Sequence, residues 1–404
     1  MTQVFRLPFE GGATHQLAGA TVLQLIPDLE ENPAARAAID IAVALGEAGA
    51  RALIACRGGR LAAELQARGG IFVPFPSYTK NPLAMALNAR RLAHILAAER
   101  ADMVHVRSRA LGWVAYGAAR MTKTPLITSF HSGRQSSNPV TMRYNSVLAR
   151  GDIVLADSDY AGRLARKLHA PAAGKIRIVH QGIDCRIFAQ EYVTPERVQA
   201  VRRQWNAGAH EQIVLFPAPV THASGYKSVI EAALLLSRSG IDGVKFILAG
   251  SGKESRALNR SIDRAIAREG LQGMVSRASL GDRPAAYLAA AAVAVPAAGA
   301  QALGETVIQA QAMGTPVIAA NVGAAPEMVL APPAVAESSR TGFLVKPGDA
   351  AALALSIAKV LSLGASASGQ LSERAKKHAG ACFSMEQSRA RTLDAYAALW
   401  RGGR

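Results

Sequence analysis

Short runs of aliphatic and β-branched residues alternate with longer stretches of helical periodicity along nearly the whole chain, in two successive series. The first series places strands at 21–26, 52–56, 71–73, 103–106, 126–129, 153–156 and 176–179, with helices at 34–48, 83–99 and 110–121 between some of them. Successive parallel strands need a crossover, and a helix on each return buries the sheet, so this alternation predicts a doubly wound parallel sheet. A connecting helix at 194–205 opens on a Thr/Glu capping pattern. The second series then has strands at 213–217, 244–249, 275–280, 293–296 and 316–320, and helices at 228–237, 255–269, 283–291 and 305–313. GFLVKPGD at 342–349 closes a strand and caps a helix over 350–363, and 384–400 reads as a final long helix.

A chain of 404 residues, half of them hydrophobic and 19% charged, has enough apolar content for two cores. Cys56, Cys185 and Cys382 are far apart with no metal-ligand spacing, which argues against a zinc site or a disulfide framework and for a reduced, cytoplasmic setting. The first residues hold no apolar signal region, and the uncharged run 284–304 parses as helix, strand and loop rather than a membrane span. The net charge of +17 is spread over both halves. Clusters such as Arg163, Arg166, Lys167, Lys175, Arg177 and the Arg202/Arg203 pair suit an anionic membrane surface or an acidic glycan, or simply a solvated basic surface. Aromatics are 5% and do not interleave with these cations, which argues against nucleic acid.

One stretch concentrates the chemistry: QALGETVIQAQAMGTPVIAANVG at 301–323. Gly304 allows a tight turn, Gly314 fits a helix C-cap, and Pro316 enters the next strand. The intervening helix points its free N–H groups and positive dipole end at the loop before it, a common way of holding phosphate.

This stretch resembles the donor-binding segment of glycosyltransferase family 4, retaining enzymes of the GT-B fold that take a sugar from a nucleotide diphosphate sugar. SRALGWVAYGAAR at 108–120, AQAMGTPVIAA at 310–320 and GFLVKPGD carry the same likeness, which extends from about Thr21 to Trp400. The resemblance implies two tandem Rossmann-like domains facing a central cleft. An acceptor-side domain would span 1–190, a nucleotide-sugar domain 191–383, and a C-terminal helix at 384–404 would cross back onto the first.

On that resemblance the catalytic candidates are His131 in SFHSG, Gln301 and Lys227. The donor-binding candidates are Gly225, Gly250, Gly252, Lys253, Gly304, Glu305, Thr306 and Gln309, with Ser158 and Arg134 on the acceptor side. No metal or cofactor is expected, since the family uses protein cations on the leaving diphosphate. Several donor words depart from the family pattern. Gln301 and Gln309 stand where it writes Glu, and aligning on Gly225 and Glu231 puts Pro219 and Ser224 at its Arg and Lys. The loop 27–33 has no glycine and brings Asp28, Glu30 and Glu31 instead. Losing two charge-assisted hydrogen bonds costs about 3–6 kcal/mol, or roughly two to four decades in rate, which His222 and Lys227 are placed to offset in part.

Two readings stay open at this point, and a third, a sugar-nucleotide epimerase or phosphorylase on the same fold, is selected by no residue. One is hexosyl transfer to a cell-envelope polysaccharide or lipid-linked glycan by a cytoplasmic, peripherally membrane-bound enzyme with an atypical donor site. The other is a catalytically silent GT-B protein that binds glycan or supports an active partner.

Overall fold

The computed structural model describes residues 16–77, 79, 81–131, 138–218, 221, 224–250, 255–296 and 304–400. Strands β1 (Thr21–Leu25), β2 (Arg51–Cys56), β3 (Ile71–Pro74), β4 (Met103–Val106), β5 (Leu126–Phe130), β6 (Ile153–Ala156) and β7 (Ile176–Ile178) form one sheet in the order β3-β2-β1-β4-β5-β6-β7. Strands β8 (Gln212–Phe216), β9 (Val244–Gly250), β10 (Val275–Ser279), β11 (Ala292–Val295), β12 (Val317–Ala320) and β13 (Phe343–Val345) form a second in the order β10-β9-β8-β11-β12-β13. Every pairing in both sheets is parallel. The winding reverses between β1 and β4 in one sheet and between β8 and β11 in the other. At such a point the connections leave in opposite directions and open a crevice beyond the carboxyl ends of the strands.

The central strands are buried on both faces, so they read as mostly apolar runs rather than as alternating ones, with Gln24, His105, Thr128 and Ser129 buried among them. On one face of the first sheet Val22, Ile26, Ile127 and Leu155 pack with Ile39 and Leu45 of helix Pro33–Glu47. That helix starts where Asn32 Oδ1 accepts the Ala35 N–H, with Pro33 at its first position. Leu393 and Tyr396, from the C-terminal helix Met385–Ala397, lie in the same cluster. The Tyr396 hydroxyl is 2.6 Å from His105 Nδ1 on β4, and His105 Nε2 is 2.8 Å from Ser129 Oγ on β5. The last helix therefore completes the core of the first domain. Full burial of each Leu or Tyr side chain there is worth about 1.5–3 kcal/mol.

The sequence reading is corrected in one place. The chain beyond 363 forms two helices, Ala365–Phe383 and Met385–Ala397, which meet at Ser384, whose Oγ caps the second by accepting the Gln387 N–H. Helix Ala365–Phe383 lays Ala379 and Phe383 against Ile308 and Ala312 of helix Gly304–Ala312. The outgoing and returning crossovers run side by side: Ile183 N–H donates to Phe383 O at 2.9 Å, and Met385 N–H donates to Ile183 O at 2.9 Å. Gly182 allows this approach, because a Cβ there would lie 2.6 Å from Met385 Cα.

Candidate active site

At the carboxyl edge of the first sheet, Phe130 pairs with Ala156, so the next residues, His131 and Asp157, stand side by side. His131 Nδ1 is 2.8 Å from Asp157 Oδ2, and the other Asp157 oxygen accepts from Ser158 Oγ at 3.1 Å. A carboxylate at Nδ1 holds the ring proton there and leaves Nε2 as a hydrogen-bond acceptor. The half-exposed imidazole can then take a proton or a hydroxyl hydrogen bond from a ligand. Ser158 is buried, and its Oγ accepts the Ala161 N–H at 3.1 Å, capping helix Asp159–Leu168. Its hydroxyl is thus engaged within the first domain.

In the second domain, Gly304 opens helix Gly304–Ala312 and Glu305 sits in its first turn. Glu305 Oε1 accepts from Gln181 Nε2 at 2.5 Å and Oε2 from Gln309 Nε2 at 3.2 Å. Gln309 Oε1 in turn accepts from the Tyr287 hydroxyl at 3.1 Å. Burial raises the pKa of Glu305 above the ordinary carboxylate value, against the pull of Arg283 and Gln181, and raises Tyr287 to about 12. A carboxyl so inclined to hold its proton repels a neighbouring phosphate less than a free carboxylate does. Gln309 is 3% exposed and its amide is engaged at both ends, while Thr306 is half-buried beside Tyr287.

Gly225 has φ +84°, and a Cβ there would lie 2.1 Å from Pro296 O, so it holds the loop after β8 against the end of β11 at the switch point of the second sheet. Beside it Ser224 is buried, donating to Thr221 O at 2.8 Å and accepting the Thr221 N–H at 3.0 Å. Lys227 is exposed in a groove between helices Tyr226–Arg238 and Arg256–Arg268, with Glu231, Arg264 and Arg268. Gly250 ends β9. Gln301, Gly252, Lys253, Arg134, Pro219 and His222 lie outside the described residues.

The acidic loop after β1 is neutralised within its own domain. Asp28 pairs with Arg57 at 3.3 Å, Glu30 with Arg60 at 3.4 Å and Glu31 with Arg36 at 2.7 Å. Exposed pairs of this kind add little stability, but they cancel much of the negative field toward the crevice.

One residue plays a part that no local pattern announces. Glu327, on the short helix Ala325–Met328 of the second domain, accepts the Asp159 N–H and the Tyr160 N–H of the first, both at 2.6 Å. It thereby caps helix Asp159–Leu168 across the cleft. His180 Nε2 is 3.5 Å away, and His180 Nδ1 is 3.2 Å from Arg391 of the C-terminal helix. Asp159, His180 and Glu327 have ligand atoms mutually within 4.8 Å, the spacing of a metal trio. Both Glu327 oxygens already accept backbone N–H groups, however, and the Arg163 guanidinium stands 3.8 Å away, so the chemistry fits a helix cap better than a cation site. Glu327 fixes the second domain beside Asp157 and His131.

The family profile for Glycosyltransferase Family 4 matches residues 34–186, and that for Glycosyl transferases group 1 matches residues 198–378. Among solved structures, a glycosyltransferase from Rickettsia africae is 25% identical, with a TM-score of 0.84 over 95% of this chain and 100% of that one. The structure of HepE from Anabaena in complex with UDP-glucose is 19% identical, with a TM-score of 0.74 over 94% of this chain and 99% of that one. The sulfoquinovosyl transferase of Arabidopsis thaliana is 25% identical over 68% of this chain, which spans about half (52%) of that relative's length.

Proposed function

Because the chain belongs to the family 4 glycosyltransferases, with a GT-B fold of two Rossmann-like domains, we propose that it transfers a hexose, with retention, from a nucleotide diphosphate sugar to a glycan or lipid-linked acceptor. The observation that supports this most is the position of His131. Its ring is oriented by Asp157 at the carboxyl edge of β5 and β6, two residues from the backbone that Glu327 of the other domain grips. A group so placed faces both halves of the cleft, where a sugar would pass between donor and acceptor. The donor diphosphate would lie at the N-terminus of helix Gly304–Ala312, whose dipole and first N–H groups oppose its charge, with Glu305, its pKa raised by burial, beside it. UDP is the first nucleotide to test, since the Anabaena relative was solved with UDP-glucose.

A second reading, a GT-B protein without transfer activity, is favoured by two specific observations. Ser224 is closed into its own turn, and Lys227 lines the groove between helices Tyr226–Arg238 and Arg256–Arg268. In the first reading the protein works on the cytoplasmic face of a membrane, its basic clusters against anionic lipid. Among the described residues no single helix is long and apolar enough to cross a membrane.

Titration calorimetry with UDP, GDP and ADP, followed by donor hydrolysis assays, separates the two. Nucleotide binding with slow donor turnover that His131→Ala abolishes supports transfer. No binding by any of the three, restored in a Pro219→Arg/Ser224→Lys variant, leaves the silent reading.

A further inference from the structure

Three arginine Nε atoms are buried without a hydrogen-bond partner among the described residues: those of Arg107, Arg340 and Arg389. Arg340 and Arg389 each bond a carboxylate through a terminal nitrogen, to Glu337 at 2.5 Å and to Asp40 at 3.1 Å. Arg107 pairs with no carboxylate and donates no hydrogen bond among the described residues. It follows Val106, the last residue of β4, which pairs with Leu25, the last residue of β1. It therefore stands at the switch point of the first sheet, where this architecture leaves its crevice. Strand alternation puts it on the face of His105, and the groups recorded as acting on it there are the His105 imidazole and the Tyr396 hydroxyl that His105 Nδ1 meets. Desolvation lowers its pKa, and the Tyr396 hydroxyl only partly offsets this.

Arg107 as a residue is part-exposed with its Nε enclosed, and a guanidinium keeps its proton at any working pH, so a cation left here without a carboxylate partner is open to a counter-anion arriving from the crevice. Residues 103–151 contain seven Lys and Arg and no Asp or Glu, and the carboxylates that follow β1 and β6 at the same edge are already engaged, Asp28 with Arg57 and Asp157 with His131. We infer that Arg107 receives an oxyanion carried by the acceptor, a carboxylate or a phosphate, bound at the crevice between β1 and β4. Calling the ligand the acceptor rests on the transfer reading; the anion site itself does not.

The test uses the full chain, with melting temperature followed against inorganic phosphate and, separately, glucuronate, at ionic strength held constant with chloride. Wild type, Arg107→Met and Arg107→Lys are compared, and UDP is titrated into each. The expected result has three parts. Wild type is stabilised by one of the two anions, Arg107→Met binds it about 10–100-fold more weakly, and Arg107→Met without anion melts no lower than wild type, because a part-buried charge with no carboxylate partner has been removed. Phosphate as the effective anion points to a phosphorylated acceptor, and glucuronate to a uronic acid. An equal anion response in wild type and Arg107→Met overturns the inference. So does a lower melting temperature of Arg107→Met without any anion, which would make Arg107 a structural residue. Loss of the UDP response in Arg107→Met also overturns it, since Arg107 would then serve the donor. If UDP fails to bind wild type while the anion response still depends on Arg107, the donor reading falls and the anion site stands.

Discussion

Replacing Glu327 by Gln tests whether the two domains are held together by a helix cap. The carboxylate accepts two N–H groups at 2.6 Å and is only 15% exposed, so solvent screening is slight. An amide keeps one acceptor oxygen and turns an NH2 donor toward the other N–H. One charge-assisted bond becomes neutral and the other is lost, for about 3 kcal/mol in all. At roughly 2–4 °C per kcal/mol for a domain of this size, that is a fall in melting temperature of about 6–12 °C. Burial pushes the Glu327 carboxyl up, but the His180 contact and the two N–H bonds outweigh it and hold it below its ordinary value. The contribution is therefore complete above pH of about 4.5 and is lost as pH falls through the lowered value, so wild type and variant should converge in acid. Calorimetric melting from about pH 2.5 to 8, with small-angle scattering for the domain separation, makes the measurement. Arg163→Ala is the control, since its 3.8 Å contact with Glu327 is exposed and worth less than about 0.5 kcal/mol. An unchanged melting temperature and radius for Glu327→Gln would refute the interdomain cap.

Other outcomes follow from the same geometry. Gly225→Ala places a Cβ 2.1 Å from a backbone carbonyl at a positive φ, and should lower stability by about 3 kcal/mol and weaken nucleotide binding; an unperturbed melt would contradict the contact with Pro296. Burial holds the pKa of His105 well below 6.5, so its neutral form belongs to the folded state. Stability should then be complete above pH of about 6.5 and decline below it as the unfolded chain takes up the proton, with a shallower decline in His105→Gln on chemical denaturation. Gln309→Glu would set a second carboxylate about 3.2 Å from Glu305, destabilising by about 1–3 kcal/mol at pH 7 and progressively less in acid, where the pair shares a proton; a pH-independent loss would count against the Glu305–Gln309 contact.

The sheets were legible because buried parallel strands such as LIAC and IVLA leave short apolar words with no alternation, repeated between helical stretches. His131 was legible from its place after β5. Helix Ala365–Phe383 was not, because half of its buried stripe of Leu371, Ala375, Ala379 and Phe383 is alanine, Gly369 and Gly380 fall elsewhere in the helix, and the sequence gives little periodic contrast. Glu30 and Glu31 read as a threat to a bound diphosphate, since nothing in the sequence shows that Arg60 and Arg36 answer them. Glu327 stands where the resemblance writes a Glu, but its capping role could not be read: a helix cap is a local pattern when the capping residue precedes its helix, and here it comes from 168 residues further along the chain.

The return of helix Met385–Ala397 to the first domain has a consequence for how the protein emerges from the ribosome. The first sheet ends at Ile178, yet Tyr396, which fills its core and meets His105, is made roughly 220 residues later, about 10–40 s at ordinary elongation rates. During that interval His105 is without its Tyr396 partner, and the face that Leu393 and Tyr396 will cover is open to water. The second domain, whose sheet closes at Phe343–Val345, has its strands in hand earlier in that wait. Vectorial synthesis, which usually finishes an N-terminal domain first, is reversed: the half made last is the first able to complete its core.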